Sequence, residues 1–220
     1  MRLFSHPASP NCVAVVAAAR RLGSDLDVQH VDLFNGEQRK PEFLALNPNG
    51  LVPVLRADDF VLWETLAILE YLGSLDATHL LLPEDPRQRA NVSRWMAWGL
   101  AHWNPSLQPF IFERMFKPLK GLGEPDEQRL AAAQPKLHQA AVLLDTTVGR
   151  TGYVCGDRLT LADYYLAAYP MYARQARINL QPYPDLSRWL ERIHSLEEWQ
   201  AATRLAHELI SGAPDEDSVF

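Results

Sequence analysis

Apolar and polar positions along this chain change period once. Through Leu75 short apolar runs alternate with helical stretches, and beyond Arg87 the period is helical throughout. Arg2 to Ser5 predicts a short strand. Pro10 opens a helix at a position where its missing N–H is no loss, Val13, Val16, Ala17 and Arg20 continue it, and Leu22-Gly23 closes it with a C-terminal glycine. Val28 to Leu33 predicts a second strand, and polar residues from Asn35 to Pro41 lead into a helical turn over Glu42 to Ala45. Asn47-Pro48-Asn49-Gly50 is a turn signal. Leu51 to Leu55 then predicts a strand interrupted by Pro53, which removes a ladder donor and so marks an edge, a bulge or a cis bond. Phe60 to Leu62 follows the Asp58-Asp59 turn as a hairpin partner. From Glu64 to Leu75, Leu66, Leu69, Leu72 and Leu75 fall in helical register, with Ile68 and Tyr71 widening the stripe. The order βαβ then ββα predicts an α/β unit with a mixed sheet over residues 1–76.

Residues 77–86 lose all periodicity after Leu80-Leu81-Leu82 and read as a linker. Residues 87–210 predict an all-helical domain. Trp95, Trp98, His102 and Trp103 share one side of a long helix, which Pro105 and Pro109 should bend or break. Leu130, Leu137, Ala141, Leu144 and Val148 continue the pattern in the next long helix, where Pro135 sits awkwardly. Thr160-Leu161-Ala162-Asp163 has the form of a capping box with Asp where Glu is usual, and Leu159 and Tyr164 stand where a hydrophobic staple would. Leu186 to Ile193 and Glu197 to Ile210 predict two further helices, and residues 211–220 a loose, polar, acidic tail.

Composition narrows the function. The chain is 47% hydrophobic and 22% charged, as in an ordinary globular protein, and its formal charge of −6 disfavours a nucleic-acid partner, which would need clustered Lys and Arg. No apolar run approaches the ~20 residues that cross a bilayer. The first residues have no apolar stretch before a cleavage site, so no secretory leader is expected. Two cysteines, Cys12 and Cys155, make no disulfide framework and fit a reducing, cytoplasmic setting. No Cys/His cluster has zinc-ligand spacing and no Gly-rich loop would cradle phosphates, so neither a metal nor a prosthetic group is expected.

An α/β unit with an internal Val-Pro strand, joined to a helical domain, suggests a thioredoxin-like fold with an all-α appendix. Asn47-Pro48-Asn49-Gly50-Leu51-Val52-Pro53-Val54-Leu55, followed by the run from Leu62 to Leu72 (LWETLAILEYL), resembles the glutathione-binding stretch of the cytosolic glutathione transferases. Gly156-Asp157-Arg158-Leu159-Thr160-Leu161-Ala162-Asp163 resembles their helix-capping motif, and the likeness extends over nearly the whole chain. The resemblance implies a cis bond before Pro53, a Val52 backbone paired with the cysteinyl part of glutathione, and Glu64 and Thr65 holding the γ-glutamyl group. Elementary chemistry supports the last point: the free N–H groups of a helix N-terminus favour a carboxylate, Thr65 adds a hydroxyl, and Glu64 would answer an ammonium. The alternative is that Glu64 and Thr65 simply cap their helix.

Glutathione's thiol must lose its proton to act, and an ordinary thiol has a pKa near ~8.5. Lowering it by ~2 units takes about 2.7 kcal/mol of preferential thiolate stabilisation. A helix N-terminus supplies at most ~2 kcal/mol, and a hydrogen bond to the charged sulfur contributes roughly 1.5–3 kcal/mol. The donor should therefore stand at the mouth of the first helix, where this chain reads His6-Pro7-Ala8-Ser9-Pro10-Asn11-Cys12. There is no Tyr. Ser9 falls where the phi and theta classes of the family carry a catalytic hydroxyl, and Ser9-Pro10-Asn11 resembles the Thr-Pro-Asn element of the nu class, which implies that Asn11 shares the sulfur. Against Ser9 stands a purely backbone-capping role; against Asn11, an exposed first-turn Asn. Cys12 could form a mixed disulfide with glutathione or could be a buried structural thiol among its Val neighbours. Cys155 reads as a core residue, and His6, at a strand end beside Pro7, as structural.

By resemblance Gln38 and Arg39 stand near the glycyl carboxylate, with a solvated polar loop as the alternative. Leu51 departs from relatives that place Gln or Lys there, and losing such a donor weakens binding by about 1 kcal/mol. Asn49 replaces an aromatic key used by some classes in dimerisation. A homodimer is still expected. A pocket for the second substrate should lie between the domains, with Trp103, Phe112, Met115 and Phe116 as lining candidates and Arg114 as a candidate anion anchor, though aromatics and Met at helical spacing also build cores. The expected function is a glutathione transferase with glutathione as co-substrate, activating the thiol against a small, apolar electrophile. The alternatives are a glutathione-dependent disulfide reductase or peroxidase, and a non-catalytic interaction protein that retains the fold.

Overall fold

The computed structural model describes residues 1–211, with side chains through Ala206, so the tail expected at 211–220 lies outside the described residues except for Ser211. Chain contacts divide it into two compact units, Met1–Leu81 together with the chain from Leu196 onward, and Leu82–Ser195. The first unit holds β1 (Arg2–Ser5), α1 (Pro10–Arg21), β2 (Asp27–His30), a 3₁₀ turn over Glu37–Arg39, α2 (Pro41–Leu44), β3 (Val54–Ala57), β4 (Phe60–Trp63) and α3 (Thr65–Leu75). The sheet order is β2-β1-β3-β4, with β1 parallel to β2 and the other pairs antiparallel. This is the mixed sheet of a thioredoxin-like unit. The strand expected at Leu51 to Leu55 begins only at Val54, because Pro53 has no donor for the ladder; the Val52-Pro53 bond is cis.

Phe4, Val31, Phe43 and Val54 form one buried cluster of this unit, with Val52 and Leu46 packed against it. Helix α1 is nearly apolar all round: Cys12, Val13, Ala14, Val15, Ala17, Ala18 and Ala19 are all buried. A helix apolar on every side must be covered on more than its sheet-facing side. The cover comes from α3 and from α10 (Glu197–Ser211), the last helix among the described residues. Trp199, Thr203 and Ala206 of α10 are buried, and Glu198 stands 3.8 Å from Arg21 of α1. The sequence places this helix with the helical domain; its packing places it with the α/β unit.

The second unit is all-helical. Its α4 (Pro86–Trp98), α5 (Asn104–Ile111) and α6 (Lys117–Leu119) run on without a break, joined by π-helical turns at Gly99–Trp103 and Phe112–Phe116. Pro105 and Pro109 therefore do not end the helix. Each π turn is followed two residues later by a proline, Pro105 or Pro118, and the wider turn lets Asn104 N–H reach Gly99 O and Lys117 N–H reach Phe112 O. Helix α7 (Glu127–Thr151) likewise passes through Pro135 intact. Helices α8 (Leu161–Ala168) and α9 (Pro184–His194) complete the unit. The capping box is formed: Asp163 accepts from Thr160 N and Thr160 Oγ1 at 2.8 and 2.9 Å, and from Val154 N and Trp189 Nε1 at 3.0 Å.

Candidate active site

Strand register assembles one end of the sheet. Phe4 pairs with Val54 and Val54 with Trp63, so three connections meet there: the exit of β1 toward Ser9, the entry to β3 after Pro53, and the exit of β4 toward Glu64 and Thr65. Helices α1 and α3 both begin at this end, which concentrates their unpaired N–H groups beside one another.

Ser9 is the N-cap of α1. Its Oγ accepts from Cys12 N at 3.4 Å, and its own N–H donates to His6 O at 3.0 Å. The capping bond uses a lone pair, and a hydroxyl carries a rotatable donor besides. Capping and donation to a ligand are thus compatible in one side chain. Asn11, half-buried in the first turn, has no side-chain hydrogen bond among the described residues.

Cys12 is fully buried, with its Sγ accepting from His6 N at 3.4 Å. Burial raises its thiol above the ordinary range and outweighs the His6 N–H and the Ser9 and Ser5 hydroxyls, which favour the thiolate. A reactive cysteine needs exposure and a lowered pKa, and Cys12 has neither. Burial also pushes Cys155 up, to about 11. Both cysteines are free thiols.

At α3, Glu64 has φ 76° and ψ 121°, and neither it nor Thr65 uses its side chain to cap the helix. The capping alternative for this pair therefore fails in the geometry. Thr65 is buried, whereas Glu64 is exposed. The Asn47–Gly50 turn precedes Val52-Pro53 in the chain. Buried Asn47 organises it, donating from Nδ2 to Leu51 O at 2.7 Å and accepting at Oδ1 from Asn49 N and Nδ2 at 3.0 Å. The sequence marks this segment as a turn within the stretch that resembles the family's glutathione-binding segment; the internal side-chain bonds of Asn47 fix the backbone that leads to Val52-Pro53. Gly50, at φ 61°, lets the turn close against its neighbours: a Cβ there would stand 3.0 Å from Gln38 O and 3.3 Å from Arg39 Nη1. Gln38 and Arg39 are thus beside the turn, with Gln38 Nε2 donating to Leu33 O at 3.3 Å and its Oε1 buried without a partner. Leu51 is 58% exposed.

The lining candidates of the helical unit divide differently. Trp103 is fully buried and donates its indole N–H to Leu166 O at 2.9 Å, so its one polar group is used within the core. Met115 is also buried. Arg114 donates from Nη1 to Ala176 O and Arg177 O at 3.1 and 2.8 Å and lies over Phe110, which commits much of its guanidinium to the fold. Phe112, under the Arg129 guanidinium, and Phe116 are half-buried. Among the described residues no group of three or more His, Cys, Asp or Glu could hold a metal ion, and no helix is long and apolar enough to cross a membrane.

Comparison with known proteins agrees with this architecture. The family model "Glutathione S-transferase, N-terminal domain" matches residues 1–74, and "Glutathione S-transferase, C-terminal domain" matches residues 103–197. Glutathione S-transferase 3 of Zea mays is 32% identical over 205 residues, 91% of each chain. Glutathione transferase F7 of Populus trichocarpa superposes with a TM-score of 0.85 at 29% identity, covering 91% of this chain and 96% of that one. The theta-class enzyme of Xanthomonas axonopodis pv. citri, solved with glutathione bound, gives 0.82 at 27% identity, over 92% and 96% of the two chains. The chain belongs to the cytosolic glutathione S-transferase superfamily and is a glutathione transferase.

Proposed function

We propose that this enzyme holds glutathione along the end of the sheet where α1 and α3 begin and turns its thiol against a small, apolar electrophile. The γ-glutamyl carboxylate lies on the N-terminus of α3 with Thr65, and its ammonium meets Glu64. The cysteinyl backbone pairs with Val52 ahead of cis-Pro53, and the glycyl carboxylate faces Gln38 and Arg39. The thiol proton leaves to solvent, and the Ser9 hydroxyl donates a hydrogen bond to the resulting thiolate, with Asn11 alongside. The thiolate forms the new bond to the electrophilic atom, which releases its leaving group or passes its charge to a proton. Phe112 and Phe116 are the apolar groups best placed by exposure to meet that substrate; Trp103 and Met115 are buried, and half-buried Arg114 is engaged with Ala176 O and Arg177 O. The enzyme acts in the cytoplasm as a homodimer and takes glutathione as co-substrate.

The observation that carries this reading is the placement of Ser9 Oγ at the N-cap of α1, with an acceptor bond to Cys12 N. The helix N-terminus and the hydroxyl together can supply the ~2.7 kcal/mol that a two-unit depression of the thiol requires. The test is to titrate enzyme-bound glutathione by thiolate ultraviolet absorbance. The bound thiol should titrate below the free value in wild type, and Ser9→Ala should raise it by about 1–2 units. An unmoved titration in Ser9→Ala refutes the role of Ser9. A disulfide reductase is the second reading, favoured by the unengaged side chain of Asn11 beside Ser9. Preferential binding of glutathione disulfide, with turnover of a small disulfide, would select it. No glutathione binding at all would overturn the proposed placement of glutathione.

A further inference from the structure

The chain carries two Asn-Gly dipeptides, Asn35-Gly36 and Asn49-Gly50. A glycine after Asn leaves its own amide nitrogen unhindered, so that nitrogen can attack the Asn side-chain carbon. The two sites differ in what holds them. Gly50 is buried, its N–H donates to Asn47 O at 2.9 Å, and a Cβ on it would stand 3.0 Å from Gln38 O, so its nitrogen has little room to move. Asn35 is exposed, and Gly36 N reaches Leu33 O only at 3.4 Å, beyond the usual length of such a bond.

Asp32 is what restrains Asn35. Its Oδ1 accepts from Phe34 N and Asn35 N at 3.0 Å, and its Oδ2 accepts from Asn35 Nδ2 at 2.6 Å. The Asn35 amide is the first cause holding the Asp32 carboxyl below its ordinary range, so Asp32 is charged at neutral pH. The same short segment carries Gln38 and Arg39. Glu37 Oε2 accepts from Asp32 N at 2.8 Å, Gln38 Nε2 donates to Leu33 O at 3.3 Å, and Arg39 N donates to Gly36 O at 2.9 Å. Gly36 thus supplies both the nitrogen that can attack Asn35 and the carbonyl that holds Arg39.

Resting on the placement of the glycyl carboxylate above, we propose that Asn35 is a deamidation site whose conversion undoes the Asp32 clasp, loosens the loop that carries Gln38 and Arg39, and lowers the affinity for glutathione.

In the first step Gly36 N gives its proton to a solvent base and bonds to Asn35 Cγ. The Cγ–Nδ2 bond breaks, and the nitrogen leaves as ammonia with a proton from water. Water then opens the cyclic imide at either carbonyl, leaving aspartate or isoaspartate, so the sum consumes water and releases ammonia. While Asp32 Oδ2 holds the amide, the leaving nitrogen is tied down and conversion is slowed. Once a carboxylate stands there, both partners are acceptors of like charge and the clasp cannot re-form. Isoaspartate also adds a methylene to the backbone just ahead of the Gly36 carbonyl, which displaces the acceptor of Arg39 N.

The experiment ages the full chain in mildly alkaline buffer and follows tryptic digests by mass spectrometry; cleavage after Arg39 separates the two dipeptides. The peptide ending at Arg39 should gain the mass of an amide turned acid, while the peptide carrying Asn49 stays unchanged. Asp32→Ala frees the amide and should convert about threefold faster or more, and Asn35→Gln should stay intact. Wild-type protein that ages with Asn35 unchanged, or that converts Asn49 as fast, overturns the proposal. Asn35→Asp reproduces the converted side chain. It should show faster hydrogen exchange over residues 33–39 and a glutathione Kd raised about fivefold; unchanged exchange in that variant also overturns the proposal. Arg39→Ala separates the two readings. If it weakens binding and Asn35→Asp does not, only the present proposal falls. If neither Arg39→Ala nor Gln38→Ala weakens binding, the glycyl placement is what fails, and conversion of Asn35 with faster exchange of the loop still upholds the clasp.

Discussion

Glu64 occupies a backbone conformation, φ 76° and ψ 121°, that a side chain with a Cβ rarely adopts. Such a residue costs about 1–3 kcal/mol, and its surroundings hold it there. Its side chain contributes no cap to α3, so the fold gains little from having Glu rather than Gly at this point. A ligand ammonium would explain the choice. Glu64→Gly should therefore separate stability from binding. Unfolding free energy should rise by about 1 kcal/mol as the strain is relieved, less the entropic cost of Gly. Glutathione Kd should weaken by about tenfold or more, the worth of one hydrogen bond to a charged group. Denaturant titration and calorimetric binding measure the two effects on the same protein. A variant that loses stability and keeps its affinity would remove Glu64 from the site.

At the scale of elements, the Phe112–Phe116 turn is held by a buried carboxylate. Glu113 is 1% exposed; its Oε2 accepts from Lys117 Nζ at 2.8 Å and Asp126 N at 3.0 Å, and its Oε1 from Arg129 Nη1 at 2.9 Å. The π turn, the segment after α6 and the start of α7 thus share one charge. The Lys117 bond, then the Asp126 N–H, and the charges of Lys117 and Arg129 hold this carboxyl below its ordinary value of 4.5. A carboxyl depressed in the folded state stabilises it above the unfolded value, and that contribution is lost as pH falls through the folded one. The helical unit should accordingly lose stability below about pH 4.5, and Glu113→Gln should flatten this acid dependence while lowering stability at neutral pH. Denaturant midpoints between pH 3 and pH 7 check it; an equally steep acid loss in Glu113→Gln would contradict it. The turn itself was hidden in the sequence. Prolines announce a missing donor, but a π turn and a break both answer that deficit, and only the apolar positions on both sides of Pro105 and Pro109 hint that the helix continues.

At the scale of the whole molecule, sequence and structure agree most where local chemistry dictates the answer. The βαβ-ββα order, the Thr160–Asp163 box and the turn before Pro53 each follow from residues close in sequence. The proposed site draws on the same local signals: Ser9, Val52, Glu64 and Thr65 lie on three connections that strand pairing gathers at one sheet end. Asn47 was less legible, because a turn-forming Asn carries no mark of the backbone groups it binds. The last helix was misplaced for another reason. Amphipathicity shows that a helix has a partner and does not say which one. The available signal was on the other side of the contact, in the run from Cys12 to Ala19, whose unbroken apolarity calls for a second cover.

That pairing makes the α/β unit discontinuous: the chain leaves it after Leu81 and returns at Leu196. Helix α1, whose first residues follow Ser9, is then stabilised by residues almost two hundred positions away in sequence. Trp199 is 2% exposed on α10, and its truncation should cost about 3–5 kcal/mol. Trp199→Ala should consequently impair glutathione affinity and the depressed thiol pKa, although no proposed ligand contact lies on α10. A mutation confined to the helical unit's own core, such as Leu144→Ala, should cost about 2–5 kcal/mol and leave the titration of bound glutathione nearly unchanged. Hydrogen exchange along α1, measured beside the thiolate titration in both variants, makes the comparison. Faster exchange of α1 amides in Trp199→Ala and unchanged exchange in Leu144→Ala is the expected pattern. Equal protection of α1 in wild type and Trp199→Ala would mean that α10 merely lies over a helix that its sheet and α3 already hold.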